Sequence, residues 1–118
     1  MEDSIFETRQ RLIKFINERD WSQFHTPKNL MLAISGEVGE LSELMQWGTD
    51  LEILDDSCFN AKKYADEIAD IFIYLVRLSD VLGIDLLESV NEKINDNANK
   101  YPVDKSKGNA KKYTEHEQ

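Results

Sequence analysis

Apolar residues recur at every third or fourth position along most of this chain, and that spacing constrains its fold more than any other feature. The period runs through four stretches, roughly 4–19, 27–47, 60–82 and 86–100. Only two prolines and five glycines interrupt the 118 residues, as is typical of long helices. We therefore expect an all-α protein in which four helices form a bundle.

The ends of these helices carry recognisable signals. Thr26 followed by Pro27 predicts the start of the second helix, with a capping hydroxyl and a proline at the first helical position. Gly83 is expected to end the third helix, and Asp85 is expected to cap the fourth. Pro102 then stops the fourth helix because proline cannot continue it.

Two segments lack the helical period. Residues 49–59 mix acidic and apolar side chains, and we interpret them as a loop with at most a short turn of helix. Residues 103–118 hold four lysines and almost nothing apolar, so we expect a polar tail that is disordered or ordered only by a ligand or partner. This places a single domain at residues 1–102.

Composition excludes several classes of partner. The chain has 23 Asp and Glu against 14 Lys and Arg, a net charge of −9, which argues against binding a nucleic acid polymer. No run approaches the ~18 consecutive apolar residues of a membrane span. The lone Cys58 and an acidic N-terminus without a basic and apolar leader indicate a cytoplasmic protein.

Two pairs of acids share one spacing. Glu37 and Glu40 lie on the second predicted helix, Glu67 and Asp70 lie on the third, and the spacing of three puts each pair on one helix face. An apolar residue of the core stripe follows the first acid of each pair. Two such helices packed antiparallel would bring four carboxylates into one pocket. The alternative is that both pairs of acids lie on solvated helix faces and form no pocket.

Four carboxylates at close range favour a cation. Like charges repel strongly in a low dielectric, and a hard divalent ion removes that cost. Oxygen ligands alone suit Mg²⁺ or Mn²⁺ better than Zn²⁺. Glu43 extends the acidic run, either as a peripheral ligand or as a solvated residue.

Polar groups at helical spacing surround the acids. The stripe of the third helix continues from Asp70 through Tyr74 to Arg77, and a guanidinium near a metal site would suit a polyphosphate. Lys93 and Asn97 share one face of the fourth helix, where they offer an ammonium and an amide or are ordinary surface residues.

Aromatic residues flank the second helix. Trp21, Phe24 and His25 precede it, and Trp47 lies at its far end. Their rings could stack on a planar base, with His25 bonding or stacking nearby, or the two tryptophans and Phe24 could close the ends of a small core. The residue types alone leave both roles open.

The motif and its flanks match a known family. Glu37-x-x-Glu40 is followed, after residues 41–66, by Glu67-x-x-Asp70. The flanking matches are Arg19–His25, Asn29-Leu30, Gly36–Leu41, Gln46-Trp47, Ile73–Leu75 and Lys100–Pro102. Over about residues 4–102 the chain resembles the MazG-like all-α nucleoside triphosphate pyrophosphohydrolases, and among them the dCTP-pyrophosphatase-like branch.

The resemblance implies hydrolysis of a nucleoside triphosphate, dCTP-like, between its α and β phosphates to the monophosphate and pyrophosphate. It implies that Glu37, Glu40, Glu67 and Asp70 hold Mg²⁺, with one Glu also orienting the attacking water. Lys93 and Asn97 would hold phosphates or sugar, Tyr74 would lie near the sugar, and His25, Trp47 and Trp21 would line the base site. A homodimer or a dimer of dimers would complete the bundle.

One position departs from the branch. Relatives carry a basic residue where this chain has Ala98, and the tail residues Lys107 and Lys111 are candidates to supply that charge. The alternative function is a non-catalytic helical module that binds nucleotides or a divalent cation as a regulator. Such a module would keep the acids and aromatic residues but bind without turnover.

Overall fold

The computed structural model describes residues 4–115, and all regular secondary structure within that range is helical. The elements are α1 (Ile5–Glu18), a 3₁₀ turn (Ser22–Phe24), α2 (Pro27–Met45), α3 (Asp50–Phe59), α4 (Ala61–Val81), α5 (Leu86–Lys100), α6 (Val103–Ser106) and a second 3₁₀ turn (Tyr113–Glu115). The all-α prediction is confirmed. Among the described residues, no helix combines the length and the apolar character needed to cross a bilayer.

The helix ends follow the signals in the sequence. The Thr26 hydroxyl accepts a hydrogen bond from the backbone N–H of Asn29 at 3.2 Å, which caps α2. Gly83 follows α4 with φ +70°, a left-handed conformation that glycine adopts without strain. The Asp85 carboxylate accepts from the backbone N–H of Glu88 at 3.0 Å and so caps α5.

The interpretation of residues 49–59 as a loop is wrong, because Asp50–Phe59 is a helix of ten residues. The Thr49 hydroxyl accepts from the backbone N–H of Glu52, and the Glu52 side chain accepts from the backbone N–H of Thr49, both at 3.2 Å. This reciprocal capping box satisfies two donors that a helix start otherwise leaves unpaired. A short local signal therefore defines the helix.

Residues up to Ile84 form one compact unit, and residues from Asp85 onward form a second. In the first unit α4 packs most extensively against α2, and α1 and α3 also contact it. The buried apolar side chains are Ile16, Leu30, Ile34, Tyr64 and Val76. The second unit holds α5, α6 and the second 3₁₀ turn. The boundary expected at residue 102 stays a prediction.

Two polar contacts fix the neighbours of α4. The Arg9 guanidinium on α1 pairs with the Asp80 carboxylate. The Tyr64 hydroxyl donates to Asp56 on α3, which also accepts from Lys63 at 2.9 Å and from Asn60 at 2.8 Å. The Tyr64 hydroxyl, followed by Lys63 and Asn60, lowers the pKa of Asp56 to about 2. Asp56 therefore stays ionised and holds α3 against α4.

Candidate metal centre and adjoining cavity

Carboxylates of α2 and α4 meet where the two helices pack. Glu37, Glu67 and Asp70 each offer an oxygen, and these three oxygens lie within 4.8 Å of one another. Glu40 lies beside them, because its carboxyl interacts with those of Glu67 and Glu37. The structure thus brings together the four acids that the sequence singled out, which we call the carboxylate cluster. Their roles as ligands and catalytic groups stay predictions.

The cluster is electrostatically crowded. The pKa of Glu40 is raised above its ordinary value, first by a hydrogen bond shared with Glu67 and then by the charge of Glu67. The Glu37 carboxyl raises the pKa of Glu67 in the same way, and desolvation adds to the effect. The charge of Glu43 also contributes at Glu40, which places Glu43 near the edge of the cluster.

Two oxygens of the cluster are buried and unpaired. Oε2 of Glu37 and Oε2 of Glu67 have no hydrogen-bond partner among residues 4–115. An unpaired buried carboxylate oxygen costs free energy unless a cation or a donor reaches it. The oxygen-only ligand set therefore fits a hard divalent cation, and the acidic cluster could bind one.

A cavity of about 690 Å³ adjoins the cluster. Residues of α1, α4 and the segment between α1 and α2 line it, and Asp70 belongs to both the cavity wall and the cluster. Trp21, His25 and Tyr74 also line the cavity, as does Arg77. The volume lies within the range of ~300–1,000 Å³ that small-molecule sites occupy.

Arg77 contacts the segment that carries the ring side chains. Its Nε donates to Nδ1 of His25 at 3.1 Å, and its Nη2 donates to Oγ of Ser22 at 3.4 Å. Burial, and then the positive charge of Arg77, lowers the pKa of His25 below its ordinary value. His25 is therefore a neutral imidazole at neutral pH.

The indole of Trp21 is held at the cavity by another ring. Phe15 meets it edge to face, with 5.6 Å between ring centroids, and the Arg19 guanidinium lies 3.7 Å from the centroid of Phe15. Trp21 nevertheless remains 44% exposed, so one part of its surface is open to a ligand.

Three further residues were expected at the site. Trp47 is 89% exposed and does not line the cavity. Lys93 and Asn97 lie on α5, in the second compact unit. Their expected contacts with substrate stay predictions.

Sequence reasoning missed the contribution of α1. Thr8, Arg11 and Phe15 all line the cavity. Their spacing of three and then four residues puts them on one helix face, which was the available signal. The same helix carries the apolar stripe used to predict α1, but nothing in that stripe shows which neighbouring helix the polar part faces.

Comparison with known proteins places the chain among its relatives. A sequence profile described as the MazG-like family matches residues 32–115, a segment that contains the whole carboxylate cluster. The chain belongs to the MazG-like family. The family predicted from the motif and its flanks is therefore confirmed.

Relatives of this MazG-like chain include two proteins named dCTP pyrophosphatase 1. The Mus musculus protein is 42% identical over 116 residues, which cover 97% of this chain and 68% of the relative. The Homo sapiens protein is 40% identical over 116 residues, with coverage of 97% and 68%. A crystal structure of a pyrophosphatase from Archaeoglobus fulgidus DSM 4304 matches with a TM-score of 0.79 and 38% identity, covering 86% of this chain and 95% of that one.

Proposed function

We propose that this MazG-like chain hydrolyses dCTP, or a deoxynucleoside triphosphate close to it, between the α and β phosphates. Nucleoside triphosphate pyrophosphohydrolase activity is supported by the relatives named dCTP pyrophosphatase 1 and by the pyrophosphatase structure. The observation that carries the proposal is the position of Asp70, which belongs to the carboxylate cluster and also lines the cavity. A nucleotide in the cavity would therefore have its phosphates beside the cluster.

Mg²⁺ is the proposed cation, with Mn²⁺ as a substitute. Glu37, Glu67 and Asp70 would hold it, with Glu40 beside them, since their oxygens are close together and two of those oxygens are buried without partners. When bound, such a cation neutralises phosphate charge and makes a water molecule more acidic. The raised pKa values of Glu40 and Glu67 reflect the negative charge gathered in the cluster and support a cation there.

Glu40 is the residue to which we assign the attacking water. It would orient that water and accept its proton. Glu40 adjoins the close set of oxygens from Glu37, Glu67 and Asp70 without belonging to it, so its carboxylate is placed to contact a water beside the cation. Glu37, Glu67 and Asp70 would act through the cation and the phosphates.

The cavity is proposed to hold the nucleoside. Trp21 would stack on the base, His25 would hydrogen-bond to it, and Tyr74 would lie near the sugar, because all three line the same space as Asp70. Stacking on an aromatic ring contributes about 1–3 kcal/mol per base and discriminates weakly between bases. Lys93 and Asn97 are proposed to contact phosphates or sugar.

The active unit is proposed to be a homodimer or a dimer of dimers. Several large apolar side chains near α3 lie open: Trp47, Leu51 and Phe59 are each at least 80% exposed. A second copy that covered this region would also give Trp47 a place at a base site. Light scattering should give a multiple of the 13.7 kDa of one chain, and a mass near 13.7 kDa would contradict the assembly.

Turnover of a nucleotide panel tests the function directly. Purified chain with Mg²⁺ and each canonical dNTP should release pyrophosphate, fastest with dCTP, and the matched Glu40→Gln variant should not. No release above that variant with any nucleotide would overturn the proposal. Calorimetric binding without turnover would instead support the regulatory module.

A further inference from the structure

Arg77 fixes the hydrogen-bonding state of His25. Its Nε carries a hydrogen and donates to Nδ1 of His25 at 3.1 Å, so Nδ1 must offer a lone pair. A neutral imidazole has one nitrogen that accepts and one that donates. The proton of His25 therefore sits on Nε2, and the ring is a hydrogen-bond donor at that atom.

The same guanidinium holds the turn on which His25 sits. Nη2 of Arg77 donates to Oγ of Ser22 at 3.4 Å, and that hydroxyl donates its own hydrogen to Oδ1 of Asn17 at 3.0 Å. The Ser22 hydroxyl therefore both donates a hydrogen bond, to Asn17, and accepts one, from Arg77. Ser22–Phe24 is the 3₁₀ turn, with Trp21 directly before it and His25 directly after it. Arg77 thus contacts the turn at two points, Ser22 at its start and His25 directly after its end.

Other charged groups share the cavity with His25. Arg11 and Glu18 line it from α1, and Asp70, Tyr74 and Arg77 line it from α4. Arg77 makes a direct hydrogen bond to the imidazole. Partial burial of the side chain, and then the fixed positive charge of Arg77, opposes a second proton on the ring and lowers the pKa of His25.

We propose that Arg77 is a positioning residue that presents His25 to the nucleotide base as a neutral Nε2–H donor. The site then recognises a hydrogen-bond acceptor on the base, such as a ring nitrogen or a carbonyl oxygen, and rejects a base that offers only donors there. The identity of the ligand rests on the function proposed above, whereas the state of the imidazole does not. Arg77 itself need not touch the substrate.

Nitrogen NMR of the free protein tests the tautomer without any turnover. Free histidine in the same buffer serves as the reference for His25. Long-range ¹H–¹⁵N spectra of the wild type should show His25 protonated at Nε2 and uncharged at pH values where free histidine is already charged. A His25 protonated at Nδ1 in the wild type would overturn the proposal, and this measurement needs no variant to fold.

Variants then isolate the guanidinium. In Arg77→Met, His25 should populate both tautomers and should titrate at higher pH than in the wild type, since donor and charge are both lost. Arg77→Lys keeps the positive charge and can still donate a hydrogen bond to Nδ1, so it should restore most of the Nε2–H form. Arg9→Met is the matched control, because it breaks another contact between an arginine and a neighbouring helix but should leave the His25 signals unchanged. Identical His25 signals in Arg77→Met and wild type would overturn the proposal.

Kinetics separate positioning from chemistry. Arg77→Met should raise KM roughly five-fold, the equivalent of one hydrogen bond, with little change in kcat. The KM of this variant should rise as the pH falls from about 8 to about 6, because His25 gains a proton in that range. The KM of the wild type should stay constant over the same range. A loss confined to kcat would overturn the positioning role. A wild type that shows the Nε2–H tautomer but no turnover would overturn the proposed function alone.

Discussion

Glu37 on α2 and Glu67 on α4 face each other with one oxygen of each carboxyl, Oε2, buried and without a hydrogen-bond partner among residues 4–115. The Glu37 carboxyl also raises the pKa of Glu67. Two helices that pack through an apolar interface thus hold like charges against each other. That arrangement opposes folding of the apoprotein and favours binding of a cation.

Glu67→Gln should separate stability from activity. Removing one charge relieves the repulsion between the carboxylates. When a chelator has removed divalent cations, the variant should therefore melt at a higher temperature than the wild type. Activity should fall at least about 100-fold, because even substitutions behind a metal ligand cost ~10–100-fold. Differential scanning fluorimetry and pyrophosphate release measure the two effects.

Asp66→Asn is the control for that variant. Asp66 is the next residue, its side chain is 57% exposed and it pairs with Lys62 at 3.0 Å on the outer face of α4. The same change in charge there should leave both activity and melting temperature nearly unchanged. Equal activity in Glu67→Gln and Asp66→Asn would remove Glu67 from the site.

A divalent cation should stabilise the wild type through the carboxylate cluster. At a free concentration of 100 times Kd, a ligand that binds only the folded state adds about 2.7 kcal/mol to the free energy of unfolding. Wild-type protein freed of divalent cations and then titrated with Mg²⁺ or Mn²⁺ should show a progressive rise in Tm. The Glu67→Gln variant should show only a small rise in Tm. A rise of the same size in both proteins would place the binding elsewhere.

Trp21→Ala should weaken nucleotide binding. Loss of a stacking ring costs about 1–3 kcal/mol, which corresponds to a rise in KM of roughly 5–150-fold. Trp21→Phe should restore much of the affinity. Phe6→Ala is a suitable control, since Phe6 is an α1 aromatic residue that is 65% exposed and lies outside the cavity wall. Unchanged KM in Trp21→Ala would argue against stacking in this cavity.

Tyr64→Phe should change how stability depends on pH. The Tyr64 hydroxyl is the first cause of the low pKa of Asp56, about 2 against an ordinary 3.8. An acid whose pKa is depressed by folding stabilises the protein above its ordinary pKa, and that contribution disappears as the pH falls through the folded value. The advantage of the wild type over the variant should therefore be full at pH 7 and should shrink between about pH 4 and 2.

Urea midpoints of both proteins across that range measure the effect. Fluorescence or circular dichroism gives the midpoint, and equal slopes keep the comparison valid. A difference between wild type and Tyr64→Phe that stays constant from pH 7 to about pH 2 would show that the hydroxyl acts by packing and not through Asp56.

Thr49→Ala should destabilise the protein by roughly 0.5–2 kcal/mol, because the start of α3 loses its capping hydroxyl. Activity per folded molecule should stay the same, since Thr49 lies outside the cavity wall and the carboxylate cluster. Glu52→Gln keeps an acceptor at the third helical position and should cost less. Urea unfolding compares the three proteins, and an unchanged midpoint in Thr49→Ala would show that α3 contributes little to global stability.

The sequence predicted what depends on local spacing. Glu37, Glu40, Glu67 and Asp70 could be paired from their intervals of three, and the ends of α2 and α5 from Thr26 and Asp85. These signals act within a turn of helix, so they do not require knowledge of the tertiary fold. The family motif consists of these same four acids, so the resemblance to the family also depends on local spacing.

Other features depend on packing and were missed. Residues 49–59 lack a clear apolar stripe, so the capping box formed by Thr49 and Glu52 was the better guide to α3. The cavity wall from α1 depends on the rotation of that helix against α4, which periodicity leaves open. The bond from Arg77 to His25 joins residues 52 positions apart and follows from the fold alone.

The helix α4 carries Glu67 and Asp70 on its way to Tyr74 and Arg77, whereas α1 lines the cavity without joining the carboxylate cluster. On the proposed function, α4 would therefore serve both nucleoside binding and hydrolysis, whereas α1 would serve nucleoside binding alone. Substitutions on the face of α1 that lines the cavity should then alter which nucleosides fit while the acids keep their arrangement. A change of substrate range would need changes in the first helix only.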